Sequence, residues 1–167
     1  GEFDLSMGAA ITFNAIVFIR VSEAFGVLAG VISGVLCGVL IALVNGLIVV
    51  LTKIPSFIAT LGMSFFWAGG SIFVNGTTPA MLTTSRDGVM EFLFAHDFGT
   101  FRSQLVWLII IGLLTWTFMH RHRLGNHIFA VGGNASAASA ISINPARVKL
   151  MAFGLYGALV GFASILI

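Results

Sequence analysis

Apolar residues gather in five runs, at 5–19, 24–52, 54–74, 104–119 and 150–167, with most of the chain's few charges between them. About 20 apolar residues are needed to carry a helix across roughly 30 Å of hydrocarbon. Hydrocarbon offers no partner to an unpaired backbone group, so a helix is the element such runs must form. The run at 24–52 is the clearest, with no ionisable group except the Cys37 thiol, and 54–74 is also uncharged. The run at 104–119 is shorter but dense in Leu, Ile and Trp, whereas 5–19 looks cut at its front. The expected fold class is all-α: a polytopic helical membrane protein with about five spans.

The polar intervals set an orientation. Segment 75–103 carries Arg86 and Arg102 against Asp87, Glu91 and Asp97, whereas 120–149 carries Arg121, Arg123, Arg147 and Lys149 with no Asp or Glu. An excess of Lys and Arg in a short loop marks its cytoplasmic side. The segment 120–149 is therefore expected to be a cytoplasmic loop and 75–103 an external one, with Lys53 at a cytoplasmic turn and residues 20–23 outside. Arg20 then stands on the disfavoured side.

Composition agrees with this pattern. The chain is 58% hydrophobic and 8% charged, with a mean hydropathy of +1.07, outside the range of ordinary soluble domains. A formal charge of +2 is too small to suggest nucleic acid, and the bilayer is the expected partner. No secretory leader is visible, since Gly1 opens the chain without a basic stretch and Asp4 precedes the first apolar run. The missing initiator Met and the ending inside an apolar run suggest a piece of a longer chain, read as a single, partial transmembrane domain at 1–167.

Signs of chemistry are missing. The sequence has no phosphate-cradling Gly-rich loop ending in Lys, no HExxH, and no Ser with a credible His and carboxylate. His120 and His122 could bind a metal, but no Cys or carboxylate stands nearby to complete a ligand set. The single Cys37 excludes a disulfide framework within this chain. The chain reads as no enzyme, with no cofactor of its own.

Within the spans, Gly26, Gly30, Gly34 and Gly38 recur every four residues. On a helix they form one stripe where a neighbouring backbone can approach closely, so helix packing is preferred over a substrate groove. Asn14, Ser33, Asn45, Thr60, Ser64 and Ser71 are polar residues that must find partners or a wet cavity. Thr60, Ser64 and Trp67 share one helical face by spacing. Hydroxyls beside an aromatic ring suit a weakly held neutral polyol, which makes them candidate translocation-pathway residues, and they suit packing as well. The uncharged middles of 24–74 and 104–119 argue against proton or sodium coupling.

In the basic segment, Gly132 and Gly133 are expected to break the preceding structure, Asn134 to cap a short helix, and Pro145 to close it. This gives a helix of about two turns over 134–144. A helix that short needs something to pack against.

Three stretches then resemble a known family: GEFDLSMGA at 1–9, LVNGLIVVLTKIPSFIATLGM at 43–63 and RLGNHIFAVGGNASAASAISINPARVK at 123–149. They are similar to the permease subunits of bacterial ABC importers for simple sugars, of the ribose, xylose and galactose type, which are related to the branched-chain amino acid permeases. The resemblance implies a subunit of about ten spans in the bacterial cytoplasmic (inner) membrane, of which this chain covers a central part. It implies a second permease copy or paralogue, two cytoplasmic ATPase subunits that bind ATP and Mg, and a periplasmic sugar-binding protein. It also implies that the short cytoplasmic helix couples to the ATPase through Gly132, Gly133, Asn134, Ala137, Ala138, Ile143 and Asn144. Ala135 and Ser139 stand where the family usually has charged residues, Ser142 where it has Gly, and Glu2 and Phe3 depart from its opening motif. The implied function is import of a simple sugar. The alternatives are a permease for branched-chain amino acids or another small solute, and an ATP-independent channel or scaffold.

Overall fold

The computed structural model describes residues 2–82, 97–98 and 101–166. Its helices are α1 (Met7–Phe25), α2 (Val27–Thr52), α3 (Ser56–Asn75), α4 (Ser103–Arg121), α5 (Arg123–Gly133), α6 (Ala135–Ala140) and α7 (Pro145–Ala163). A two-residue antiparallel ladder, β1 (Asp97–Phe98) and β2 (Phe101–Arg102), precedes α4, with Asp97 opposite Arg102. Among the described residues, five helices (α1, α2, α3, α4 and α7) are long and apolar enough to cross a membrane. Most of the segment expected to be an external loop lies outside the described residues.

The helix limits differ from the apolar runs in ways the contacts explain. Helix α1 continues past residue 19 through Arg20 and Glu23, so 20–23 is no turn. There Arg20 Nη2 donates to Asn75 Oδ1 of α3 at 3.0 Å, and Glu23 lies 4.0 Å from Arg20 Nη1. The turn into α2 is Gly26 alone, at φ 88 and ψ 160, a conformation that strains any side chain. Gly26 is thus the joint between helices and not a member of the packing stripe. Lys53, left-handed at φ 56, and Pro55 turn α2 into α3.

The basic segment is largely helical. Gly132 and Gly133 form the last turn of α5, a helix that the sequence reading had not placed. Helix α6 stops at Ala140, before 144, and Pro145 opens α7 instead of closing α6. Proline suits the first turn of a helix, where its missing N–H would have no partner.

The chain divides into two compact units. One comprises 2–85 with Leu150–Ile165, the other Arg86–Lys149. In the first, Ala10, Ile41 and Val160 form a buried cluster, with Ile11, Phe13, Cys37, Trp67 and Tyr156 packed around it. The buried stripe of α2 is small and polar, comprising Gly30, Gly34, Gly38, Ala42, Asn45 and Gly46 with Ile41 and Val49. Leu28, Ile32, Leu36 and Leu40 point outward. This inverts the soluble pattern, because lipid is as apolar as leucine and helices associate through close packing and polar contacts.

In the second unit Val131, Ala138 and Val148 are buried together, with Ile128, Ala130, Ala135 and Ile143 against them. This cluster supplies the support that the six-residue α6 cannot give itself.

Candidate functional site

The most connected polar feature begins before α1. Asp4 Oδ1 accepts from Ser6 N at 2.8 Å and from Ser6 Oγ at 2.6 Å. Ser6 Oγ accepts in turn from Asn45 Nδ2 of α2 at 2.6 Å, and Asp4 Oδ2 takes a longer bond from the same nitrogen at 3.4 Å. Trp67 Nε1 of α3 donates to Asn45 Oδ1 at 3.3 Å. Asn45 therefore joins the start of α1 to α2 and α3 and is itself 1% exposed.

The strand of chain leading into α1 is held from the other side by hydroxyls. Phe3 N donates to Ser56 Oγ and Leu5 N to Thr60 Oγ1, both at 3.0 Å. Thr60 turns its own proton to Ser56 O at 2.8 Å, with Phe3 O at 3.3 Å as the second acceptor. Ser56 and Thr60 lie one turn apart on α3, and their oxygens accept from alternate amides of the segment before α1. Asn45 precedes the last residue of α2 by seven positions, which places this non-helical segment roughly 10 Å in from the helix end. Irregular backbone at such a depth survives only where protein groups satisfy it.

This geometry revises the sequence reading. An ionisable group does reach the helices: Asp4, supplied from outside the runs in which one was sought. Thr60 is completely buried and its hydroxyl is engaged by the 3–5 segment. Ser64 does not join it, because its Oγ donates back to Leu61 O at 2.6 Å. Trp67 meets Phe13 at 5.4 Å and Phe66 at 5.0 Å between ring centroids, besides its bond to Asn45. Asp4, Ser6 and Ser56 were not singled out as site residues. Their signal was membership of the stretches 1–9 and 43–63 that resemble the permease family, which does not say what each side chain meets.

The glycines differ among themselves. A Cβ at Gly38 would lie 2.7 Å from Gly161 N and Cα and press on the Gly157 carbonyl, so α2 and α7 touch backbone to backbone. A Cβ at Gly30 would meet the Ser22 side chain and lie 2.8 Å from Phe18 O, whereas one at Gly34 would make ordinary 3.5 Å contacts with Phe18 and Ile165.

In the other unit, Asn134 is extended and its Oδ1 accepts from Ala137 N at 3.0 Å, capping α6. Asn144 Oδ1 does the same for α7, accepting from Arg147 N at 3.1 Å. Ala138 is 2% exposed and Ile143 packs beside it, while Ala137 faces outward and Ile141 is 69% exposed. Gly132 and Gly133 have open space where a side chain would stand. Ser142 is held at φ 64, which accounts for the glycine expected at that place. Just before α5, Phe118 stacks on His122 at 4.7 Å and His120 tilts against Trp116 at 5.1 Å. His120 Nδ1 lies 2.8 Å from Trp116 O and His122 Nδ1 accepts from Leu124 N at 3.2 Å, and no group of three or more metal-ligating side chains occurs among the described residues.

Among the described residues, five helices long and apolar enough to cross a membrane define a multi-pass helical protein of the inner membrane, of the permease class. The chain belongs to the family described as branched-chain amino acid transport system / permease component, which matches residues 1–167. It is 32% identical over 174 residues to the L-arabinose ABC transporter permease protein AraH of Azospirillum brasilense, covering 100% of this chain and 49% of that protein. It is 29% identical to the ribose import permease protein RbsC of Escherichia coli K12, covering 93% of this chain and 45% of that protein. The fructose import permease protein FrcC of Rhizobium meliloti is 28% identical, with 97% and 48% covered. The chain spans about half the length of these curated relatives. No solved structure matches it.

Proposed function

We propose that this chain is part of the membrane-spanning subunit of an ATP-driven importer for a simple sugar. The observation that carries this is the agreement of several relatives, whose names specify L-arabinose transport, ribose import and fructose import, over nearly the whole chain. On this reading the permease pairs with a second copy or a paralogue. Two cytoplasmic ATPase subunits bind ATP and Mg, and a periplasmic binding protein delivers the sugar. The chain itself binds no cofactor and catalyses nothing.

Helix α6 is the proposed coupling element. Asn134 and Ala137, with Gly132 and Gly133 at the end of α5, form the open side available to an ATPase cleft, while Ala138 and Ile143 root α6 in the cluster with Val131 and Val148. A push on α6 then passes through Ile143 and the Asn144 cap into the first turn of α7. Nothing charged stands at Ala135 or Ser139, so the docking contact in this chain relies on shape and on backbone groups. Ser64 and Trp67 are kept as proposed pathway residues, with Thr60 in a supporting role.

The test is reconstitution of the full-length permease with its ATPase and binding protein, followed by uptake of labelled pentoses, hexoses and branched-chain amino acids. Uptake of a sugar with co-purification of the ATPase is the expected result. Uptake of an amino acid instead would favour the alternative substrate class. A permease that never retains an ATPase would mean a channel or scaffold.

A further inference from the structure

Asn14 is completely buried, and neither its amide nitrogen nor its amide oxygen has a hydrogen-bond partner. Ser22, 1% exposed, has an unpartnered Oγ as well. The two lie eight residues apart and so on the same side of α1. That side faces α2: Ala10 packs with Ile41, Phe18 lies at Gly34 and Ser22 at Gly30. The antiparallel register therefore sets Asn14 near Cys37 and Gly38. Two polar groups without partners in an interface between helices disfavour its closed form, since an unpaired buried group bears its whole desolvation cost.

The ends of α1 are built differently from each other. At one end a single residue, Gly26, joins α1 to α2 in a conformation open to glycine. At the other, Asp4, Ser6 and Asn45 with Thr60 and Ser56 clasp the segment leading into α1. A one-residue joint forbids sliding of one helix along the other but allows α1 to swing.

We propose that α1 is a gate helix: it opens from α2 about Gly26 when the Asp4–Ser6–Asn45 clasp releases, and Asn14 then becomes a water-exposed residue lining the path of a neutral, hydroxylated solute. The clasp holds the closed form against the cost of the unpaired Asn14 and Ser22. Opening gives both groups water as a partner. The named solute and the ATP-dependent part of the test rest on the importer reading, and the clasp-release part does not.

The experiment uses full-length permease carrying Cys37→Ser and one of Ala10→Cys, Asn14→Cys or Ser22→Cys, assembled with its partner proteins in open membrane fragments. The probe is a negatively charged methanethiosulfonate reagent. At rest all three positions should be unreactive. Adding Asp4→Asn, or Thr60→Val as a second way to loosen the clasp, should raise labelling at Asn14→Cys without ATP. The rise should be on the order of tenfold, the population shift that loss of one hydrogen bond of ordinary net strength produces. Labelling should be strong at positions 10 and 14 and weakest at 22, beside the hinge. During ATP turnover the unloosened protein should show the same gradient. Equal labelling at all three positions would mean general loosening and would overturn the hinge. No labelling at position 14 in the loosened proteins would overturn the gate, whatever the protein transports. Labelling in the loosened proteins but never during turnover of a working importer would remove Asn14 from the path. If no substrate is taken up at all while the clasp experiment succeeds, the importer reading fails and the gate stands.

Discussion

Asn45 Nδ2 donates to Ser6 Oγ at 2.6 Å across 39 residues of chain, and both side chains are buried. The bond connects the entry to α1 with the C-terminal part of the buried stripe of α2, and Trp67 holds the same amide through its oxygen. Asn45→Leu should therefore leave Trp67 Nε1 without an acceptor, remove the donor to Ser6 Oγ and destabilise the protein by ~1–3 kcal/mol. A double-mutant cycle with Ser6→Ala, read by unfolding in mixed micelles, should return a coupling of about 0.6–1.7 kcal/mol. Coupling near zero would show that the two groups are not linked energetically.

Thr60 separates support from transport. Thr60→Val removes the acceptor of Leu5 N and the donor to Phe3 O and Ser56 O, and should lower stability by ~1–3 kcal/mol. Thr60→Ser keeps the hydroxyl and should stay close to wild type in both stability and uptake. A Thr60→Val protein of unchanged stability with lost uptake would return Thr60 to the pathway.

The α2–α7 crossing tolerates no side chain. Gly38→Ala should cost about 1–3 kcal/mol, because the Gly157 carbonyl and the backbone of Gly161 must move apart. Gly34→Ala, with 3.5 Å to its nearest atoms, should be nearly silent. Melting temperatures of the two purified variants decide this, and equal losses would contradict the backbone contact.

On α6 the two alanines should behave differently. Ala138→Glu puts a charge into the cluster with Val131 and Val148, and the fold of that unit should suffer. Ala137→Glu points outward and should leave melting unchanged while reducing ATPase binding and uptake. Full ATPase binding by Ala137→Glu would exclude α6 as the coupling element.

Ser142 occupies the left-handed region at φ 64. Ser142→Gly should stabilise the protein by roughly 1 kcal/mol through relief of that conformation. A fall in melting temperature would show that the serine is held there by something it gains.

The sequence by itself determined how many helices can span the bilayer, since uncharged runs of sufficient length leave the backbone no other way to satisfy itself in lipid. It also carried the family and the cap at Asn134, whose amide oxygen serves an amide N–H three residues on. Helix limits were less legible. Arg20 and Glu23 read as a turn because charges usually mark span ends, yet Arg20 is accommodated inside α1 by Asn75, distant in sequence. Gly132 and Gly133 read as breakers, yet they close the last turn of α5 and the break comes one residue later, at the extended Asn134.

Only the tertiary structure decided what the polar residues do. Asp4 lies outside the uncharged runs, and its meeting with Asn45 depends on where α1, α2 and α3 converge. Thr60 and Ser64 share a helical face, yet one is engaged by a distant segment and the other by its own helix. Asn14 and Ser22 differ from Asn45 only in lacking a neighbour to bond. Periodicity reports which face a residue takes on its own helix, whereas a hydrogen bond needs a second element at about 3 Å, and that is fixed by packing.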